Sequence, residues 1–393
     1  MKFNEIIRIH GTDYKNMTKV LLKRAQLAES IMAKTGCIPH PLIGIKPNLV
    51  SPTPAEFGAT THPEIAAGII EYLKENRFDN IIICEGSWVG DKTSDAFEYC
   101  GYNSLADKYG VRLFDTQTDS SYKVHFKNMD LNICSCVKKI NYLINVPVLK
   151  GHCQTKITCA LKNMKGLIPN SEKRRFHSLG LHTPIAYLNK CIRQDFIVVD
   201  SICGDPYFEE GGNPLVKNNI LASKNPLLTD IFACRELNIT PEEVPYINMA
   251  RELGIGKVNS TSISLIDLNG SDQNDGLPAS AEIPADNGRN MITQPLELNY
   301  ATNEIESCSA CYSSLTDALS ELNKKDLLHK LINEMHFSFC IGQGYKESTC
   351  EDDHKIGIGS CTKHFVRYIP GCPPSSESIL EYLMKIQSCA EQD

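Results

Sequence analysis

The 393-residue sequence lacks long apolar runs. No stretch approaches the roughly 20 apolar residues of a membrane span, which excludes a transmembrane helix. The first residues, MKFNEIIRIHGTDYKNMTK, contain no apolar core of the kind that a secretory signal peptide has. We therefore expect a cytoplasmic protein with no membrane partner.

Several catalytic and nucleotide-binding motifs are missing as well. There is no G-x-x-x-x-G-K-[ST] and no G-x-G-x-x-G that follows a strand, which excludes the common phosphate-binding loops. There is also no H-E-x-x-H and no G-x-S-x-G after a strand. The formal net charge is -7, which argues against nucleic acid as a partner.

Apolar strands and amphipathic helices alternate through the first half of the chain. Such alternation predicts βαβ units and a mostly parallel sheet that helices cover on both faces. The predicted strands are 42–50, 80–87, 111–115, 141–149 and 195–201, and the predicted helices are 63–76, 95–110 in two pieces and 226–237. The fold class is therefore α/β.

A change in composition divides the chain. The stretch NGSDQNDGLPASAEIPADNGRN, residues 269–290, is rich in Asn, Asp, Gly and Pro and reads as a long loop or linker. We place the boundary near Leu296. Residues 1–295 then form an α/β domain, and residues 296–393 form a smaller α/β domain.

The cysteines carry the strongest signal. Seventeen are present, an odd number that disfavours a disulfide framework in a reducing compartment. Cys308 and Cys311 form a C-x-x-C pair, and Cys361 and Cys372 follow in glycine- and proline-rich turns. A cysteine followed by proline, as Cys372 is, recurs at iron–sulfur sites. Four thiolates in this arrangement predict a [4Fe–4S] cluster.

The sequence around the cysteines fits an anionic cluster. Apolar residues recur at helical spacing after each group, at Leu315, Ala318, Leu319 and Leu322 and again at Ile379, Leu383 and Ile386. Ser375 or Ser376 can cap the second helix. Both groups then lie near helix N-termini, whose partial positive charge favours thiolates.

Two other interpretations of these cysteines stay open. Four cysteines also suit structural zinc, although the ten residues between Cys361 and Cys372 do not form a close second pair. Alternatively, the thiols are reduced and bind nothing, as we expect for Cys84 and Cys234 within apolar runs. Cys340 and Cys350 are further cysteines that could replace one ligand.

A basic segment follows one predicted strand of the large domain. Lys150 and His152 lie at the carboxyl end of the strand that ends near Leu149, where open parallel sheets bind ligands. We predict a helix over 155–165 and a solvated loop at SEKRR, residues 171–175. Lysines near a helix end also commonly bind its last carbonyl groups, so a purely structural role stays open.

Polar residues at neighbouring strand ends complete this candidate site. We expect an anionic small molecule, with a carboxylate or phosphate group held by lysines, and His152 and Lys150 as the catalytic groups. The candidate ligand-binding residues are Lys46, Asn48, Glu85, Lys156, Lys162, Asn163, Lys165 and Asp200.

The segments IKPNLV, NVPVLKGHCQTKITCALKNMKGLIP and VVDSICGD resemble the domain of unknown function 362 family over most of residues 1–268. CSAC and GSC…PGCPP, which hold Cys308, Cys311, Cys361 and Cys372, resemble the iron–sulfur region of many members. The resemblance implies an iron–sulfur protein of the kind found in anaerobic bacteria and archaea. Many members carry a ferredoxin module with eight cysteines, which this chain lacks, so one cluster is expected.

Three functions are consistent with these features. The first is a redox protein, including an iron–sulfur oxidoreductase, whose cluster transfers electrons to an anionic small molecule or cofactor in the large domain or to a redox partner protein. The second is a non-redox enzyme of the isomerase or racemase type that acts on a carboxylate substrate and has a structural cluster. The third is a factor that binds or delivers metal or clusters.

Overall fold

The computed structural model describes residues 1–36, 38–152, 154–256, 262–269, 276–278, 301–305, 307 and 309–390. The chain divides into two units, Met1–Pro284 and Ala285–Asp393. The boundary predicted near Leu296 falls in the range 279–300, outside the described residues, and stays a prediction.

The larger unit alternates strands and helices along the chain. Its strands are β1 Glu5–His10, β2 Ile43–Pro47, β3 Ile81–Glu85, β4 Arg112–Asp115, β5 Ser121–Phe126, β6 Met129–Cys134, β7 Tyr142–Val146, β8 Lys150–His152, β9 Lys156–Thr158, β10 Phe196–Ser201, β11 Asn219–Ser223, β12 Ser262–Asp267 and β13 Gly276–Pro278. Its helices are α1 Tyr14–Arg24, α2 Leu27–Thr35, α3 Pro63–Glu75, α4 Thr93–Tyr99, α5 Tyr102–Tyr109, α6 Ala160–Asn163, α7 Asn170–Ser178, α8 His182–Cys191, α9 Pro226–Glu236 and α10 Pro245–Glu252.

Nine strands form one sheet in the order β13-β12-β1-β11-β10-β7-β2-β3-β4. The run β10-β7-β2-β3-β4 is parallel throughout, and β1 is parallel to β12. The antiparallel pairs involve β11, which runs against β1 and β10, and β13, which runs against β12. The predicted α/β class with a mostly parallel sheet is confirmed.

Side chains of the sheet alternate between two apolar cores. Along β10, Val198 belongs to the core on one face, whereas Ile197 and Val199 belong to the core on the other face. All three are buried. Burial of each such side chain stabilises the fold by about 1.5–3 kcal/mol. Packing on both faces explains why these strands read as continuous apolar runs.

Two local predictions in the basic segment are wrong. The predicted helix over 155–165 is instead a hairpin strand, β9, followed by the short helix α6 and a 3₁₀ turn over Met164–Leu167. Lys156 pairs with His152 across the hairpin and has a φ of 65°. A right-handed helix needs a φ near −63°, so no helix can pass through this residue. The SEKRR segment is not a solvated loop but lies in α7, and Lys173 is buried.

The smaller unit is a four-stranded parallel sheet in the order β14-β15-β16-β17. Its strands are β14 Thr302–Glu304, β15 Ser338–Ile341, β16 Lys355–Ile358 and β17 Arg367–Ile369, and its helices are α11 Ser309–Lys324 and α12 Ser376–Ala390. A π-helical turn covers Lys330–Glu334. The two helices contribute apolar side chains to one core with the sheet, at the predicted positions Leu315, Ala318, Leu319, Leu322, Ile379 and Leu383.

No helix in the part of the chain that the structure describes is long and apolar enough to span a membrane.

Candidate functional site

The polar residues predicted from the strand ends of the larger unit lie at the carboxyl edge of its sheet. Lys46 lies near the end of β2, Glu85 ends β3, and Asp200 lies near the end of β10. These strands are parallel to β7, so their carboxyl ends share one edge. Ligands of open parallel sheets bind at that edge.

Lys46 and Glu85 form a buried ion pair at the centre of this edge. Lys46 Nζ lies 2.7 Å from Glu85 Oε2 and donates to Asn163 Oδ1 at 3.1 Å. It also donates to the backbone oxygen of Pro47 at 2.8 Å. An ammonium group has three donors, and these three acceptors use them all. This pair therefore fixes the strand ends to α6.

The pair leaves no space for a side chain at Gly166. A Cβ atom built there would lie 1.9 Å from Glu85 Oε1 and 2.5 Å from Lys46 Nζ. Glycine at this position is therefore required by the close approach of the backbone to the ion pair.

A second charged group surrounds Glu209, which sequence analysis did not identify. Glu209 Oε2 lies 2.6 Å from His152 Nε2 and 2.5 Å from Lys162 Nζ. His152 Nδ1 accepts hydrogen bonds from the backbone N–H groups of Gln154 and Thr155, at 3.0 and 3.1 Å. Because Nδ1 is an acceptor, the ring proton is on Nε2 and is donated to Glu209.

This second group has perturbed pKa values. Burial lowers the pKa of His152 to about 4, although Glu209 opposes that effect. The pKa of Glu209 is well below its ordinary value, because His152 and Lys162 outweigh its burial. His152 is thus a neutral donor to a carboxylate near pH 7.

Lys150 anchors the loop that carries Glu209. Its Nζ donates to the backbone oxygens of Ala59 and Glu209, the latter at 2.6 Å. Burial lowers the pKa of Lys150 to about 7. Burial and the adjacent Glu209 raise the pKa of Glu210 to about 8. An ammonium and a carboxyl that both titrate near neutral pH mark a candidate functional site.

The other predicted residues are placed less centrally. Lys165 Nζ lies 3.3 Å from His177 Nε2. Asn48 is buried, and its backbone pairs with Thr61. Lys156 is exposed on the hairpin, and its charge acts on Glu243. The structure thus brings together His152, Lys162 and Lys150, and the charge of Lys165 acts on His152 and Glu209 as well. Lys156 is the backbone partner of His152 in the hairpin, but it is exposed.

Asp200 belongs to a third group, with His62 and Cys203. Asp200 Oδ2 accepts from both the backbone N–H and Nδ1 of His62, each at 2.8 Å. His62 Nε2 lies 3.7 Å from Cys203 Sγ, and the ring of Tyr14 contacts His62 edge-on. Burial alone would lower the pKa of His62, but the Asp200 carboxylate outweighs it and raises that pKa to about 11.

The raised pKa of His62 predicts a pH dependence of stability. The folded chain binds this proton more tightly, so the contribution is complete below about pH 6.5 and falls as pH rises toward 11. We expect the stability advantage over a His62→Gln variant to shrink by at most about 1.4 kcal/mol per pH unit between pH 7 and 9.5. Urea unfolding followed by the fluorescence of Trp88, the single tryptophan, measures it. A difference that stays constant over this range would contradict the assignment.

In the smaller unit, three of the four predicted cluster ligands lie near the carboxyl edge of the parallel sheet. Cys311 is in the first turn of α11, which follows β14, and Cys361 and Cys372 follow β16 and β17 within three residues. The fourth, Cys308, lies outside the described residues. The helices begin as predicted, and Ser375 caps α12 by accepting the N–H of Ser378 at 3.1 Å.

The three cysteine-bearing turns contact each other. A Cβ atom built on Gly359 would lie 3.6 Å from Cys311 Sγ and 3.3 Å from the backbone oxygen of Gly371. The Ser360 N–H donates to that oxygen at 2.8 Å, and the charge of Cys372 adds to burial in raising the pKa of Cys361. Among the described residues alone, no three or more His, Cys, Asp or Glu side chains are grouped closely enough to hold a metal ion.

The turns after β15 and β16 have similar sequences, but only the second carries a cysteine. Residues 340–346, CIGQGYK, match residues 357–363, GIGSCTK, and the sheet pairs Ile341 with Ile358 at the same position of the repeat. Gly342 and Gly359 follow, both with positive φ and extended ψ, a region open only to glycine. Gly344 then stands where the second copy has Cys361.

The two further cysteines lie elsewhere in this unit. Cys340 is buried on β15, where burial raises the pKa of its thiol and a hydrogen bond from Tyr345 opposes that change. The charge of Cys350 also raises the pKa of Cys340, and the backbone of Cys350 forms an isolated β-bridge with Phe365. That either of them replaces one of the cluster ligands stays a prediction.

Together, the fold and the polar sheet edge define an α/β protein with a mostly parallel sheet and a buried lysine–histidine–carboxylate site. Residues 43–235 match the family model described as Domain of unknown function (DUF362), which supports the resemblance inferred from the sequence motifs. This segment contains every residue of the three charged groups described above. A comparison with curated proteins found no match.

Among solved structures, the chain is similar to the lactate racemase apoprotein from Thermoanaerobacterium thermosaccharolyticum. The sequence identity is 13%, the TM-score is 0.39, and the alignment covers 61% of this chain and 57% of the racemase. The chain thus spans less than two thirds of that relative.

Proposed function

We propose that this chain is a redox protein that holds one [4Fe–4S] cluster in its smaller unit through Cys308, Cys311, Cys361 and Cys372. When bound, such a cluster supplies one-electron transfer. The acceptor is an anionic small molecule or cofactor bound by the larger unit, or a redox partner protein.

The observation that carries this proposal is the contact between turns far apart in sequence. Cys311 Sγ lies beside Gly359, and the turn of Gly359 is hydrogen-bonded to the turn that precedes Cys372. Gly359 and Gly371 both have a positive φ, and the absence of a side chain lets the turns that carry Cys361 and Cys372 pack closely. Four thiolates from such turns match the ligand set of a [4Fe–4S] cluster.

The anionic ligand is supported by the group around Glu209. His152 and Lys162 donate to one carboxylate oxygen, and Lys150 lies beside them with a pKa of about 7. These donors suit the carboxylate or phosphate of a small molecule equally well.

The group around Glu209 also favours a second candidate function, an isomerase or racemase that acts on a carboxylate substrate. His152 and Lys150 would be its proton-transfer groups, and its cluster would be structural.

Anaerobic purification tests these functions. We expect brown protein with about four irons and four sulfides per chain, whose visible absorbance bleaches reversibly with dithionite. A cluster that dithionite does not reduce would favour the second candidate function. Transfer of iron to an apo-protein would instead indicate a factor that delivers clusters. Iron-free, colourless protein from cells that assemble clusters normally would refute all cluster-based proposals.

A further inference from the structure

Cys203, His62 and Asp200 form a chemically distinctive group that the proposed function does not use. Cys203 Sγ lies 3.7 Å from His62 Nε2, and His62 Nδ1 lies 2.8 Å from Asp200 Oδ2. A thiol, an imidazole and a carboxylate in this order are the arrangement that activates a cysteine nucleophile. We propose that Cys203 is a nucleophilic thiol, activated by His62 and oriented by Asp200, that reacts covalently with a small uncharged electrophile.

The carboxylate fixes the imidazole in the orientation that this chemistry needs. Asp200 Oδ2 accepts two hydrogen bonds from His62, one from its backbone N–H and one from Nδ1. Asp200 Oδ1 accepts the N–H of Ile202 at 3.1 Å, so the carboxylate itself is held in place. With Nδ1 donating to Asp200, Nε2 is the ring nitrogen that faces the sulfur.

The position in the fold also fits a reactive site. Asp200 and Cys203 come from the carboxyl end of β10 and the loop after it, and His62 comes from the segment between β2 and α3. Both strands end at the edge where open parallel sheets carry their ligands. The ring of Tyr14, with centroids 5.5 Å apart, contacts His62.

The surroundings define the class of electrophile. Cys203 and His62 are each 5% exposed, so only a small reagent can reach the sulfur. The negative charges of Asp200 and the Cys203 thiolate exceed the single positive charge of His62, so the group does not attract an anionic substrate. We therefore expect an alkyl or acyl carbon that bears a leaving group.

The reaction is balanced without any further reactant. Because His62 already carries a proton on each ring nitrogen, the thiol proton passes to solvent and the imidazolium stabilises the thiolate. The sulfur then forms a bond to the carbon, and the leaving group departs with the electrons of its bond. The raised pKa of His62 means that its ring stays an imidazolium near neutral pH and retains its positive charge throughout the reaction.

Cys100 provides a matched control within the same unit. It is as buried as Cys203, at 4% exposure, and its Sγ lies 3.2 Å from the backbone oxygen of Thr53. Cys203 Sγ likewise has a carbonyl partner, Ala55 O, at 3.3 Å. The two thiols therefore differ mainly in that Cys203 has an imidazole beside it. Burial raises the pKa of Cys100.

Iodoacetamide labelling of the native chain near pH 7, with peptide mapping by mass spectrometry, tests the proposal. We expect Cys203 to react at least about tenfold faster than Cys100, equivalent to about 1.4 kcal/mol of barrier. We expect His62→Gln and Asp200→Asn to remove this advantage and to leave the rate of Cys100 unchanged.

The wild-type comparison stands even if a variant is destabilised. Equal labelling rates for Cys203 and Cys100 in the native wild-type chain would overturn the proposal. So would a His62→Gln variant that keeps the native fluorescence of Trp88 and still labels Cys203 at the wild-type rate. If His62→Gln unfolds and exposes both thiols, the Asp200→Asn rates decide in the same way.

Discussion

Replacing Cys372 with alanine is expected to abolish the iron content and the visible absorbance of anaerobically purified protein. Cys311→Ala is expected to do the same. Both thiols lie in turns that contact each other through Gly359 and Gly371, and a cuboidal cluster that loses one of four protein ligands is poorly retained. Iron and sulfide assays with the absorbance spectrum measure the effect.

Two controls separate loss of a ligand from loss of folding. Cys84→Ala removes a fully buried thiol from the core of the larger unit and is expected to keep full colour. Cys350→Ala removes a thiol of the smaller unit that is outside the predicted ligand set and whose charge acts on Cys340, and is also expected to keep full colour. Full iron content in Cys311→Ala or Cys372→Ala would remove that residue from the ligand set.

Removing the carboxylate of Glu209 is expected to have the largest effect on the larger unit. In Glu209→Ala, His152 and Lys162 lose the oxygen that lies 2.6 and 2.5 Å from them. Loss of one partner of a buried ion pair costs about 3–5 kcal/mol. We expect the free energy of unfolding to fall by about that amount in a buffer of low anion content, with Trp88 fluorescence as the measurement.

An external anion is expected to restore part of that stability. If the site accepts a carboxylate or phosphate, acetate or inorganic phosphate at a hundred times its dissociation constant stabilises the variant by about 2.7 kcal/mol. Glu210→Ala is the control, because Glu210 has a pKa of about 8 and is largely protonated at pH 7. Equal anion effects on wild type, Glu209→Ala and Glu210→Ala would refute the anion site. That result would not bear on the proposed cluster, which iron and sulfide assays test separately.

More of the cysteine site in the smaller unit than of the charged groups in the larger unit could be predicted from the sequence. The helices after Cys311 and Cys372 and the cap at Ser375 were predictable, because helical spacing and capping are local signals. The match between residues 340–346 and 357–363 was present in the sequence and could have revealed the equivalent turns at Gly342 and Gly359. It was missed because only a few residues repeat.

The residues that complete the larger unit's sites carried weaker signals. Glu209 lies in a loop between β10 and β11, and no local pattern distinguishes it from neighbouring Glu210. His62 precedes a proline at a helix start, and Cys203 is one of many cysteines, so their contact across 141 positions was not visible. The charged neighbours of Lys173 predict a solvated side chain, yet its Nζ donates to backbone oxygens of Gly86 and Ser87.

The sequence by itself determined the α/β class, the parallel strands and the helices that follow the cysteines, because apolar periodicity and turn residues act over short distances. Only the tertiary structure decided which charges meet: Glu209 with His152 and Lys162, and Asp200 with His62. Burying a charged side chain is costly unless an opposite charge or hydrogen-bond partners compensate it. Those partners come from loops that are far apart in the chain until the sheet brings its carboxyl ends to one edge.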